Sequence, residues 1–140
     1  MRLRSFQLSD IFAVQQVWSL ASSHEKEKQT LRVLTDQLAR DRDLVIVAEE
    51  DNEVIGAIVG TIDGRSGFFY CLAVHPAHRN KKVGSQLVKA LCTRFQRKGV
   101  TRMYITVDEG TQNLVPFYQR LGFTSFCRTR QEDELLAMGR

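Results

Sequence analysis

The residues best equipped for chemistry lie between Val74 and Leu91, in the stretch VHPAHRNKKVGSQLVKAL. His75, His78, Arg79, Lys81 and Lys82 crowd ahead of Gly84, and an apolar-periodic run follows at once. A helix starting there presents unpaired backbone N–H groups and the positive end of its dipole. Together these bind anions. Gly84 lets the backbone approach a ligand closely, Ser85 adds a hydroxyl donor, and Arg79, Lys81 and Lys82 add charge. A phosphate, or better a diphosphate, suits so many donors. The competing reading is a solvated basic turn that caps a surface helix.

Other reactive side chains are sparser. Cys71, Cys92 and Cys127 are far apart and odd in number, with no C-x-x-C pair, so they mark neither a zinc site nor a disulfide framework. They read as reduced thiols of a cytoplasmic protein. Cys71 lies on a strand with no histidine at short range, and strand parity sets it opposite Leu72, so a packed thiol is preferred to a nucleophile. Tyr118, beside Phe117, is read from the residues alone as core. His24 in SSHEKEK is read as a surface residue.

These groups must be held by elements that periodicity predicts. RLRSF alternates as a first strand, and Ser9 stands in N-cap position before DIFAVQQVWSLA, where Ile11, Val14, Trp18 and Ala21 share a face. A second helix is expected within KQTLRVLTDQLARD. Strands LVIVAEE, EVIGAIVGTI and FFYCLAV follow, joined by turns at Asp51-Asn52 and at DGRSG. Along FFYCLAV, Phe68, Phe69 and Tyr70 alternate, one face for core and the other able to line a pocket. Val83, Leu87, Val88, Leu91 and Phe95 trace a helical face that Gly99 closes. TRMYITV is a strand, QNLVPFYQRLG a short helix, and FTSFCRTR with ELLAM a last hairpin. The order β-α-α-β-β-β-α-β-α-β-β, with a sheet that begins antiparallel and no G-x-G-x-x-G, is α+β (mixed α/β) and not doubly wound.

The 140 residues, 43% hydrophobic and 26% charged, suit one domain over residues 1–140 with its own core. No apolar run reaches membrane-spanning length, and the N-terminus lacks a signal-like apolar segment. The net charge of +4 fits a polyanionic partner. Nucleic acid is disfavoured, because the basic residues gather at one helix start and no binding motif accompanies them.

LAVHPAHRNKKVGSQLV resembles the acetyl-CoA-binding motif of the GNAT acetyltransferase superfamily, small bacterial type. A strand ending Leu-x-Val leads to Pro and then to Arg/Gln-x-x-Gly-x-Gly/Ala, with Arg79 at the first of those positions and Gly84 at the last. PFYQRLGF resembles the family's Phe-Tyr-x-x-x-Gly-Phe segment at Phe117, Tyr118, Gly122 and Phe123. The resemblance covers essentially the whole chain. It implies a central, mostly antiparallel sheet with a V-shaped splay between the fourth and fifth strands, flanked by about four helices. It implies that Leu72, Ala73 and Val74 pair with the pantetheine arm of acetyl-CoA. The loop of Arg79, Asn80, Lys81, Lys82, Val83, Gly84 and Ser85 would cradle the diphosphate. Tyr118 would serve as the catalytic acid for the departing thiolate. No metal is implied, and a homodimer is compatible.

The sequence departs from the family at three places. Lys82 stands where the first motif glycine is usual. It would crowd the diphosphate if the backbone there is unusual, or add a cation if the residue is helical; the helical case is preferred. Thr111 takes the place of an asparagine, with Asn113 out of register. The two strands FFYCLAV and YITV carry no carboxylate, and Asp108 and Glu109 come only after the latter, so the general base is unassigned. The leading expectation is an N-acetyltransferase that passes acetyl by direct attack to a primary amine of a small molecule or protein. The alternative is a CoA-binding sensor or scaffold without turnover.

Overall fold

A computed structural model of the chain describes residues 1–21, 36, 40–78, 82–107, 115–120, 124–128 and 134–139. Within them lie strands β1 Arg2–Ser5, β2 Val45–Glu50, β3 Glu53–Asp63, β4 Ser66–Val74, β5 Arg102–Val107, β6 Thr124–Arg128 and β7 Glu134–Gly139. The described α-helices are α1 Ile11–Ala21, α2 Val83–Arg97 and α3 Val115–Arg120. Three helices are thus described in full, and Asp36 and Arg40 are helical as well. The helix expected in KQTLRVLTDQLARD lies outside the described residues apart from Asp36, Arg40 and Asp41.

The strands form one sheet in the order β1-β2-β3-β4-β5-β7-β6. Every neighbouring pair is antiparallel except β4 with β5. The turns explain the hairpins. Asp51 and Asn52 both take positive φ, 52° and 65°, which suits the right-handed twist of a two-residue β2–β3 connection. Gly64, at φ 62°, opens the β3–β4 turn.

Each face of the sheet carries its own core. On one, α2 lays Val83, Leu87, Val88, Leu91 and Phe95 against Ile46, Ile58 and Phe69, the face its spacing predicts. On the other, Val14, Val17 and Trp18 of α1 meet Val45, Val47, Ala57 and Val59. Phe95 is admitted by two glycines. A methyl at Gly60 would stand 2.7 Å from its ring, and one at Gly67 2.8 Å. The end of α2 is tied down by Gly99 N–H to Gln96 O (3.2 Å) and Val100 N–H to Phe95 O (3.0 Å), with Gly99 at φ 85°. That is a Schellman closure, and the accompanying apolar contact is Val100 with Phe95 in the same core.

The start of α1 differs from expectation. Ser9 is not its N-cap but lies inside a 3₁₀ turn, Leu8–Asp10, ahead of the helix. Asp10 accepts from the Gln7 N–H at 2.8 Å and receives a two-pronged contact from Arg4 of β1, Nη1 at 2.7 Å and Nη2 at 2.8 Å. The same guanidinium donates through Nε to Glu49 of β2 at 2.6 Å. Asp10 is 6% exposed, and Arg4 holds its carboxyl below the usual carboxylate range. A buried charge needs such pairing, so the long-range partner decides which polar residue anchors the helix.

Candidate active site

The candidate site begins where β4 loses its β5 neighbour. β4 and β5 pair in parallel over four residues, Ser66 with Arg102 through Phe69 with Ile105. Beyond Phe69, the register pairs no residue of β4 with β5, although β4 runs on to Val74 and β5 to Val107. The two strands part there, as the resemblance implies. On the other side of β4, Val59 pairs with Tyr70 and Ala57 with Ala73. Ile58 therefore stands opposite two residues, Cys71 and Leu72, a β-bulge in β4 one step past the point of parting.

The bulge shifts the alternation. Before it, Gly67 and Phe69 face α2. After it, Leu72 and Val74 pack against the α2-side core and Ala73 against the α1-side core. Parity along the strand no longer assigns Cys71 to a face. Leu72 and Val74 are half-buried and Ala73 is 5% exposed. What these three residues present along the open edge is backbone. Past Val74 the chain is held to β3 by His75 N–H to Ile55 O, 2.7 Å, and turns through Pro76–His78. The Ala77 N–H donates to His75 Nδ1 at 3.1 Å.

Arg79, Asn80 and Lys81 lie outside the described residues. Lys82 is the N-cap of α2 at φ 63°, ψ 18°, in the left-handed region. This corrects the helical reading. Lys82 adopts the conformation a glycine takes without a Cβ penalty, while its carbonyl accepts the first helical bond, from Gln86 N–H at 3.0 Å. The N–H groups of Val83, Gly84 and Ser85 precede that bond and have no helical carbonyl one turn back. Val83 itself is 3% exposed in the core, so its side chain anchors the helix. Gly84 and Ser85 are half-buried and Lys82 is exposed.

Tyr118 lies on α3, where its backbone is described. Pro116, in the first turn of that helix, sits where a missing N–H does no harm. His24, Asp108, Glu109, Thr111 and Asn113 lie outside the described residues. Cys92 is half-buried, and burial pushes its thiol up to about 11, so it stays protonated at neutral pH and is a poor nucleophile.

Three features escaped sequence reasoning. The run FFYCLAV carries no glycine to mark its bulge. The Arg4–Asp10–Glu49 cluster joins three elements across the fold. Phe68 and Tyr104 stack across β4 and β5 with ring centres 5.4 Å apart and planes 23° from parallel. A fourth feature, the left-handed backbone at Lys82, did have a signal, since it stands where the family pattern has glycine.

Residues 10–123 match the model of the acetyltransferase (GNAT) family. An acetyltransferase of Pectobacterium atrosepticum is 27% identical over 123 residues, covering 88% of this chain and 87% of its own. The structure is similar to the PaiA N-acetyltransferase of Thermoplasma acidophilum in complex with coenzyme A. There the TM-score is 0.86 at 19% identity, over 99% of this chain and 98% of that one. It is also similar to a GNAT family acetyltransferase of Brucella melitensis in complex with acetyl-CoA, with a TM-score of 0.76 at 21% identity, over 99% and 88%.

Proposed function

The chain belongs to the acetyltransferase (GNAT) family, and from that premise we propose that it passes acetyl from acetyl-CoA to a primary amine by direct attack in the opening between β4 and β5. Its 140 residues are read as one catalytic domain of a cytoplasmic enzyme. The observation that carries the reading is the end of β4–β5 pairing at Phe69 and Ile105, followed at once by the bulge at Cys71–Leu72. A strand edge left open in this way accepts an extended arm with amide groups as a further strand. The helix start at the far end of that edge, Val83 to Ser85, supplies N–H groups for a diphosphate. Leu72 to Val74 would pair with the pantetheine arm, and Arg79 to Ser85 would hold the diphosphate.

The chemistry asked of the chain is modest. The amine nitrogen forms a bond to the acetyl carbon while the carbon–sulfur bond breaks. Backbone N–H groups of the bulge stabilise the charge that develops on the thioester oxygen. The Tyr118 hydroxyl gives its proton to the departing thiolate; a phenol of ordinary pKa, about 10, holds that proton at neutral pH. The proton lost by the amine passes to water, for β4 and the described part of β5 contain no Asp or Glu. Acceptors from small amines to protein amines fit this scheme.

A second reading, CoA binding without turnover, draws on the same lack of a carboxylate and on Lys82 at positive φ. One measurement separates the two. Thiol release from acetyl-CoA across a panel of amines is expected to exceed the amine-free rate with at least one acceptor. Tight CoA binding with no release for any of them favours the binding module.

A further inference from the structure

Two histidines tie the chain to the sheet between the end of β4 and the start of α2. His75 holds it to β3, where its N–H donates to Ile55 O at 2.7 Å. The His78 N–H then donates to His75 O at 2.9 Å and closes the turn Pro76–His78. The His78 ring reaches β2, with Nδ1 3.2 Å from Glu50 Oε2. Arg79, the first residue proposed for the diphosphate loop, follows directly in sequence.

Glu50 meets this turn on the face where the helix start is anchored. β2 alternates from Ala48, in the α2-side core, to Glu49, which accepts from Arg4 Nε. Arg4 pairs in the ladder with Val47 of the α1-side core, so Glu49 belongs to the α1 side. Glu50 therefore belongs to the α2 side, where Val83 fixes the first turn of α2.

The two rings respond differently to a proton. His75 Nδ1 accepts from the Ala77 N–H at 3.1 Å, a bond that a proton on that atom would break. His78 Nδ1 is withdrawn from water, and no hydrogen bond among the described residues reaches it. A buried polar atom calls for a partner. The Glu50 carboxylate is close enough for an ion pair but out of line for a hydrogen bond. Charge attraction is the less directional of the two, so a proton on His78 converts this contact into a favourable one. The other titratable or charged groups described around it are His75, edge-on with ring centres 5.7 Å apart, the exposed Glu53, ladder partner of Glu50, and the exposed Lys82 at the start of α2.

We propose that Glu50 and His78 are positioning residues for the diphosphate loop, and that CoA affinity rises as His78 takes up a proton. The inference rests on the acetyl-CoA reading above. The pair acts through the loop, by fixing where Arg79 leaves the sheet. A loop ordered before binding lowers the cost that the ligand must meet. By linkage, bound CoA favours the protonated ring in return. The pairing is complete below the range in which an imidazole titrates and is lost as pH rises through it.

The test is calorimetric titration of CoA into the wild type, Glu50→Gln and His78→Asn at about pH 5.5 and about pH 7.5, on either side of the imidazole range, with melting temperatures to establish that each protein is folded. Asparagine offers an amide N–H in place of Nδ1 and does not titrate. The phosphate monoester of CoA itself changes charge near pH 6, equally for all three proteins, so the ratio of variant to wild-type Kd is what is read. At the lower pH that ratio should be about 3–5 for each variant, the scale of a partly exposed ion pair, and it should fall below about 2 at the higher pH. A ratio independent of pH in either variant overturns the inference, even where affinity is lost, because a purely structural role weakens binding alike at both values. That result leaves the acetyltransferase reading standing. A wild type that binds no CoA at either pH overturns both.

Discussion

Phe69 and Ile105 are the last register partners of β4 and β5, and the backbone of β4 bulges within two residues of them. The separation of the strands is thus local and abrupt. It lies between a well-packed base, where Phe69 meets Phe95 at 5.2 Å, and an edge made of Leu72 to Val74. The predictions below follow from that base, that edge and the helix start beyond it.

Gly67→Ala tests the base. The added methyl would come within 2.8 Å of the Phe95 ring, and Phe95 is fully buried and cannot swing aside. Overpacking of this kind costs about 1–3 kcal/mol. Urea denaturation should show that loss, and an unperturbed midpoint would mean that β4 and α2 separate without cost.

Lys82→Gly should stabilise the protein. A side chain in the left-handed region costs about 1–2 kcal/mol, part of which is offset by the greater freedom of glycine in the unfolded chain. A net gain of up to about 1 kcal/mol raises the melting temperature by about 3 °C in a chain of this size. If the lysine also reaches a phosphate, CoA binding by the variant weakens and loses part of its salt dependence. A lower melting temperature would show that Lys82 makes a stabilising contact that offsets its strain.

Asp10 sets a pH signature. Hydrogen bonds from Arg4, foremost, and from the Gln7 N–H hold its folded-state pKa below the ordinary value, which is about 3.9 for an unfolded chain. A depressed carboxyl contributes stability that is full above the unfolded value and is lost as pH falls through the folded one. Asp10→Asn should therefore cost about 1–3 kcal/mol near neutral pH, and the gap to wild type should close as pH falls below about 4. Denaturation curves at several pH values decide it; a gap independent of pH would assign the effect to hydrogen-bond geometry and not to charge.

Much of this was legible in the sequence where local chemistry decides structure. The five apolar residues from Val83 to Phe95 repeat at helical spacing, and Gly99 takes the positive φ that ends the helix. Asp51-Asn52 and Gly64 mark their turns because few other residues adopt those dihedrals readily. What was hidden depends on distant partners or on conformations the residue type does not announce. Nothing in Tyr70-Cys71-Leu72 signals a bulge. A lysine does not by itself advertise left-handed backbone; only its place at the motif glycine hinted at it. Gln7, Ser9 and Asp10 are all polar, and only Arg4, six residues earlier in sequence and on another element, makes Asp10 the anchor.

Tyr118→Phe probes the chemistry alone. The change keeps the ring and removes the hydroxyl, so CoA affinity should hold while turnover falls by about 10²–10⁴-fold, the usual worth of general acid catalysis. Wild-type turnover by the variant with its best amine would make the tyrosine a packing residue and leave protonation of the thiolate to water.

The most direct test of the central claim is calorimetric titration of CoA into the wild type and Gly84→Val. The claim is that the open edge of β4 and the start of α2 together hold acetyl-CoA for transfer. A Cβ branch at Gly84 would stand at the helix start proposed for the diphosphate, outside the residues that pair β4 with β5. The account predicts saturable binding by the wild type and a loss of at least about 10-fold in the variant, the equivalent of one charge-assisted hydrogen bond or more. Equal affinity in two equally stable proteins would place the cofactor elsewhere and contradict the site as described.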